Sequence, residues 1–588
     1  MSSFKSLSRN AAIGLALAAG LLAMAQKPAA AQTNGTWSAT TGGSWPTASN
    51  WTGNQIATGV SGSAQFSSTI SGIQTVTLDG DRTIGFMRFT SAGSANIHSL
   101  QMGTSGTLTL QTSSGSPSID VQNSRSGIIG VTLAGSQGFT KVGGGTLYLG
   151  GTNTYTGQTS VSVGTLELTT PNSFGASGAG NETVVSGNGP ARVRIGGTTS
   201  TAESFIISGT GASNTGAINF GSSQGGVNTT GTITGQITLS ADAQIGAAGG
   251  SFGTLDRLGP GSAVDNAGFR LSYTGGGSLT VNSPITGAGA FVHNGSGTLL
   301  VAAANTYSGS TAITGNGTIR LGTGGTGGSL ATSSDISLAA AGSTFVVDQS
   351  DTVTQGVEFS GAAITPSVGG SGIGNFTQAG SGTTILTAAN AYTGATSVNA
   401  GTLLINGNQS AANGAVTVAV GATLGGSGTT GGEVTVDGTL SPGNSPGVLT
   451  AASVVLGATS TSFFEINTTT RGTGYDGVNI TADSGLTYDG ALSLSFGNGS
   501  AFANNTTFDL FNFTGTPSND FESVTSTGFY AGTWTLASGL WSLTTSEQKL
   551  TFTPSTGDLI VAVPEPSTLV LLSGLAAVGL FARRRNAA

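Results

Sequence analysis

The side chains able to do chemistry are few and widely separated. Histidine occurs twice, at His98 and His293, and cysteine does not occur at all. A Ser-His-acid triad or a tetrahedral zinc site therefore lacks parts, and disulfides are excluded. Carboxylates come as short pairs, namely Asp79/Asp81, Asp520/Glu522 and Asp256 beside Arg257. In tight turns such pairs act as turn formers or solvated ion pairs. Of the 17 Lys and Arg, six (Lys5, Arg9, Lys27 and Arg583 to Arg585) sit near the chain ends, leaving 11 scattered through the body. Cleavage of a polysaccharide needs clustered carboxylates, and no such cluster is visible. The expectation is a protein with no catalytic residue, no cofactor and no metal. Two other groups stand out. Trp37, Trp45 and Trp51 fall together near the N-terminus, and Pro564-Glu565-Pro566 precedes an apolar run ending in Arg583-Arg584-Arg585.

The elements that must position these residues are short strands arranged as repeats. Residues 138–168, 289–321 and 374–405 are three copies of one unit. In each, a Gly-Thr pair (Gly145, Gly297, Gly382) precedes an Asn-x-Tyr-x-Gly turn: Asn153/Tyr155/Gly157, Asn305/Tyr307/Gly309 and Asn390/Tyr392/Gly394. A second strand start follows at Gly164, Gly317 and Gly401. Thr and Ser alternate with Leu, Val and Ile, placing an apolar file on one strand face and hydroxyls on the other. A unit this small buries its apolar face only by stacking on others, which points to a solenoid. Lys141, His293 and Gln378 share one repeat position, and their polarity predicts that it faces water.

The pattern resembles the autotransporter-associated β-strand repeat. That resemblance implies an all-β, right-handed parallel β-helix of the kind found on bacterial surface proteins. Composition agrees with folded β structure. The chain has 100 Gly among 588 residues, yet it keeps 37% apolar residues and only 7% charged ones, whereas disordered chains are rich in charge and poor in β-branched residues. Residues 100–460 are read as the β-helix. With roughly 20 to 25 residues per rung this makes about 15 rungs, spaced ~4.8 Å apart.

Residues 1–31 have the charged, apolar and Ala-x-Ala layout of a secretory signal, with cleavage after Ala31 or, alternatively, Ala25. Residues 32–99 then form an N-terminal cap and first rungs. There the tryptophans either cover the open end of the solenoid or, at Trp45 and Trp51, offer a platform for sugar rings; covering the end is the first reading. Residues 461–562 hold ten of the 25 phenylalanines and are read as a closing β segment, either wider rungs or a small sandwich. They are too few for the membrane barrel of an autotransporter. The tail, 563–588, is similar to the PEP-CTERM sorting signal. This implies processing at Pro564, Glu565 and Pro566 by an exosortase-type enzyme in a Gram-negative cell, with helix 568–582 as a transient inner-membrane anchor and the arginines held on the cytoplasmic side.

Without the terminal segments the body carries a net charge of about −13, which disfavours nucleic acid. The expected function is an exported structural or adhesive protein of the cell surface or extracellular matrix, with exopolysaccharide or other surface glycans as partners. A β-helical polysaccharide lyase or hydrolase, and a carbohydrate-binding surface module, are the alternatives.

Overall fold

The computed structural model describes residues 31–90, 97–101, 105–187, 189–197, 199–221, 229–366 and 373–564. The expected secretory signal over residues 1–31, apart from Ala31 itself, and the sorting tail from Glu565 onward lie outside the described residues. The described chain is all-β, with three single-turn 3₁₀ segments and no α-helix. It divides into two compact units, one running to Val193 and the other beginning at Arg194.

In the first unit, parallel strands stack in register. Ile97–Gln101, Ser126–Ile129, Thr146–Leu149 and Gly164–Leu168 bring Leu100, Ile129, Leu149 and Leu168 into one column, and all four are buried. Phe86–Phe89, Ser118–Val121, Thr140–Val142, Thr159–Val161 and Thr183–Val185 make a second ladder. A third contains Arg82–Ile84, Thr107–Leu110 and Thr132–Ala134. Three ladders visited once per coil define a parallel β-helix, right-handed as such crossovers nearly always are.

The second unit, taken by itself, is built in the same way. Thirteen parallel strands run from Thr199–Thr201 to Leu486–Thr487, and a nine-stranded sheet runs from Thr352–Thr354 to Gly532–Thr533. Strands alternate between half-buried and buried positions, as in Thr298–Val301 and Thr402–Ile405, which is the pattern set by Thr alternating with Leu or Ile. The glycine of each Gly-Thr pair is required by coil stacking. A Cβ at Gly297 would run into the carbonyl oxygen of Gly277, and one at Gly382 into that of Asp351.

The coil changes character near its end. Thr461–Ile466, Ala491–Phe496 and Ser523–Gly528 remain parallel neighbours. A separate antiparallel sheet then forms from Thr506–Asp509, Asp558–Ala562, Lys549–Thr553, Leu540–Thr544 and Thr535–Ala537. Phe511, Phe521 and Phe552 meet Tyr488 there with ring centroids 4.8 to 6.4 Å apart. Strand direction reverses where aromatic density rises, so residues 461–562 combine continued rungs with an antiparallel sheet.

Candidate functional site

The titratable residues singled out in the sequence stay apart, whereas Arg471, Asp509 and Asp558 come together at the antiparallel sheet. Asp79 accepts a hydrogen bond from Ser44 Oγ at 2.5 Å and another from Thr77, while Asp81 accepts the Thr107 N–H at 2.9 Å. Each carboxylate thus ties its turn to a neighbouring coil. Arg257 turns away from Asp256 and donates to the carbonyls of Pro260 and Ser262. Asp520 accepts from the Trp541 indole at 3.0 Å. His98 is buried against Phe66 with ring centroids 5.4 Å apart, and desolvation pushes its pKa down to about 4. Among the described residues no three His, Asp or Glu side chains gather to hold a metal ion.

The tryptophans form one buried cluster. Trp37 and Trp45 are 0% exposed and Trp51 is 2% exposed. Trp51 contacts Trp37 and Trp45 edge-on at 5.1 and 5.0 Å, and Phe66 closes the group 5.7 Å from Trp45. The Trp45 indole donates to Ala57 O at 3.0 Å and that of Trp51 to Trp45 O at 2.8 Å. Trp45 and Trp51 therefore present no free ring face to a sugar, which corrects the platform reading. Strand Gly35–Trp37 pairs with Ser63–Phe66, so the cluster covers the first coil.

The three repeats share a polar core. Tyr155, Tyr307 and Tyr392 are buried, and each hydroxyl pairs with the threonine four residues on, at 2.8, 2.6 and 2.8 Å. Burial raises the pKa of Tyr307 and of Tyr392 to about 12. Asn153, Asn305 and Asn390 each accept one backbone N–H from the preceding coil at 2.8 Å, from Leu133, Ile285 and Ile364 respectively. The amide N–H groups of Asn153 and Asn305 donate to the following coil, at Ser173 O and Ser329 O. That of Asn390 meets Gln355 in a reciprocal amide pair at 2.9 and 3.1 Å. The asparagine is thus an internal staple between coils, although its sequence context suggested only a turn.

Lys141, His293 and Gln378 do not face water. All three are buried and stand in apolar columns, Lys141 between Ile119 and Val161 and His293 between Tyr273 and Ile313. The Lys141 ammonium donates to Val142 O, Gly143 O and Val163 O at 2.9, 2.6 and 3.1 Å. One His293 nitrogen reaches Gly297 O at 2.8 Å, and Gln378 donates to Gly380 O and Gly382 O at 2.7 and 3.3 Å. The position sets a donor against inward carbonyls of the adjacent glycine-rich turn, where water cannot reach; of these, Gly297 O and Gly382 O also accept the N–H of Thr318 and of Thr402. Desolvation brings the Lys141 pKa from 10.5 to about 8, with nearby Asp120 opposing the fall.

This geometry explains the conserved look of the unit within the chain, and comparison with known sequences gives it a family. Residues 139–168, 291–321 and 376–405 match the passenger-associated-transport-repeat. The chain carries three such repeats. Residues 562–585 match the PEP-CTERM protein-sorting motif, which implies processing by an exosortase-type system. The chain is also 32% identical over 230 residues to a protein of Brucella suis biovar 1 (strain 1330) described as the adhesin BmaC autotransporter. That match takes in 37% of this chain and 6% of the adhesin. Together the repeats and the sorting motif support an exported surface protein. Of the sorting residues only Pro564 is described; it stands two positions beyond the last strand, Asp558–Ala562. Among the described residues no helix is long and apolar enough to cross a membrane, and segment 568–582 lies outside them.

Proposed function

We propose that this protein is a non-enzymatic adhesive component of the cell surface or extracellular matrix, and that it works by contacting exopolysaccharide or other surface glycans. The observation that carries the reading is the joining of passenger-associated repeats to a PEP-CTERM motif in one chain. The first supplies a scaffold of stacked coils and the second a route to the surface. Likeness to part of an adhesin supports the same reading. A parallel β-helix lined by threonine offers many equivalent weak contacts, and many weak contacts acting together give strong retention. In this account the apolar tail holds the chain transiently in the inner membrane until an exosortase-type enzyme acts near Pro564, Glu565 and Pro566.

Deleting residues 564–585 tests the sorting half. The shortened protein should be exported and soluble, with none retained at the membrane or surface; membrane association unchanged by the deletion would refute it.

A further inference from the structure

In the nine-stranded sheet of the second unit the outward hydroxyls line up in one long column. Strands Thr352–Thr354, Thr383–Leu386, Thr402–Ile405, Thr423–Gly426, Thr439–Pro442 and Thr461–Ile466 are parallel neighbours, and each begins with threonine. Their register places Thr352, Thr383, Thr402, Thr423, Thr439 and Thr461 directly opposite one another. All six are exposed or half-buried on the outer face. None of their hydroxyls makes a hydrogen bond to the protein, whereas Thr387 and Thr430 on neighbouring segments donate to backbone carbonyls. Six unpaired hydroxyls repeat at the strand spacing of ~4.8 Å.

Beside this column, two residues along each strand, stand Thr354, Ile385, Leu404, Gly425, Ser441 and Phe463. Ile385, Leu404 and Phe463 are half-buried and have apolar surface left over. Neither column holds a charged side chain. The corresponding column on the thirteen-stranded sheet, Thr298, Thr318 and Thr344, is shorter and ends at Asn375. It also lies beside Arg320, which is tied to Asp348.

We propose that this face binds a linear, neutral polysaccharide of equatorially linked pyranoses, laid along the solenoid axis with about one sugar per coil. In such a chain the sugars form a flat ribbon that advances by nearly the strand-to-strand step. Its edges carry hydroxyls and its faces carry C–H bonds. The threonine column matches the edge, and the apolar surface that Ile385, Leu404 and Phe463 leave beside it matches the face. The absence of charge from both columns, on a chain of formal net charge −8, selects a neutral polymer over an anionic one. A helical glucan has no straight edge to follow the column. Affinity would come from repetition, since each exposed hydroxyl contributes little by itself.

This inference rests on the proposed glycan-contacting function and names its ligand class. The test is co-sedimentation of the full chain, kept in mild detergent, with microcrystalline cellulose and with chitin, using granular starch as the helical comparison. Retention is expected on cellulose or chitin and not on starch. T402V/T423V, which keeps β-branched side chains but removes two central hydroxyls, should bind about tenfold more weakly. T402S/T423S should bind as the unaltered protein does, which excludes misfolding as the cause, and T298V/T318V on the other sheet should also be unaffected. Retention unchanged in T402V/T423V, or equal on starch, overturns the assignment. Self-association abolished by T402V/T423V without glycan retention overturns it in favour of a second copy on this face. Retention only on the matrix polysaccharide of producing cells, insensitive to T402V/T423V, sinks this inference and leaves the proposed function standing. Retention on no polysaccharide removes both.

Discussion

Replacing Lys141 by methionine and by glutamine separates two effects that the buried repeat position combines. Lys141→Met keeps length and apolar bulk but leaves Val142 O, Gly143 O and Val163 O without their donor. An unsatisfied buried acceptor costs about 1–3 kcal/mol, so three cost roughly 6 kcal/mol at the middle of that range. Against this, the variant no longer buries a cation whose pKa has fallen from 10.5 to about 8, which returns about 3 kcal/mol. The net is a local destabilisation of about 3 kcal/mol. Lys141→Gln keeps two of the three bonds, as Gln378 does in the third repeat, and also removes the cation. It should be neutral or stabilising by about 1 kcal/mol. A solenoid opens coil by coil, so the readout is amide hydrogen exchange in peptides covering residues 139–168. Exchange there should be about a hundredfold faster in Lys141→Met and not faster in Lys141→Gln. There is also a pH signature. Between pH 8 and pH 10.5 the unfolded coil holds a proton that the folded coil has lost, so local stability of the unaltered protein rises with pH across that window. Lys141→Gln should abolish the rise. Equal protection in the methionine and glutamine variants would refute the argument that the position exists to satisfy carbonyls.

His98 gives a test of the same sign in a lower pH window. Its folded pKa of about 4 lies below the ordinary 6.5, so its contribution is present above pH 6.5 and about 3 kcal/mol is lost as pH falls towards 4; His98→Gln should flatten urea midpoints across that range. Tyr307→Phe removes the hydroxyl that pairs with Thr311, which in turn pairs with Ser334 in a buried chain, and should cost about 1 kcal/mol, seen as faster exchange in peptides covering 305–313. Trp51→Ala opens a cavity under the first coil worth about 3–5 kcal/mol. Limited proteolysis should then cut within residues 31–66, and a variant that stayed protease-resistant while losing polysaccharide retention would restore the platform reading.

The fold was largely legible because its signal is periodic. Gly-Thr starts, alternation of hydroxyl with aliphatic side chains and the spacing of Asn153, Asn305 and Asn390 together require short strands in stacked coils. What misled was polarity taken residue by residue. Lys141, His293 and Gln378 each stand two positions after a core phenylalanine, at Phe139, Phe291 and Phe376, so alternation already placed them on the inner face. The stronger rule was that inward carbonyls of a glycine turn need a donor, and that need arises from backbone geometry which composition does not display. The tryptophans show a similar limit. Aromatic density marks a chain end to be covered or a surface to be offered, and only the mutual packing of Trp37, Trp45, Trp51 and Phe66 decides between them. The threonine column was invisible for a different reason, since its six members are up to 109 positions apart, between Thr352 and Thr461, and only strand register brings them together.

The central claim is that the protein contacts surface polysaccharide without altering it. Incubating the full chain with purified matrix polysaccharide from producing cells, then assaying both co-sedimentation and polymer ends, tests that claim directly. The account predicts that the protein sediments with the polymer and that no new reducing ends or unsaturated sugars appear. Failure to sediment, or the appearance of either product, would contradict it.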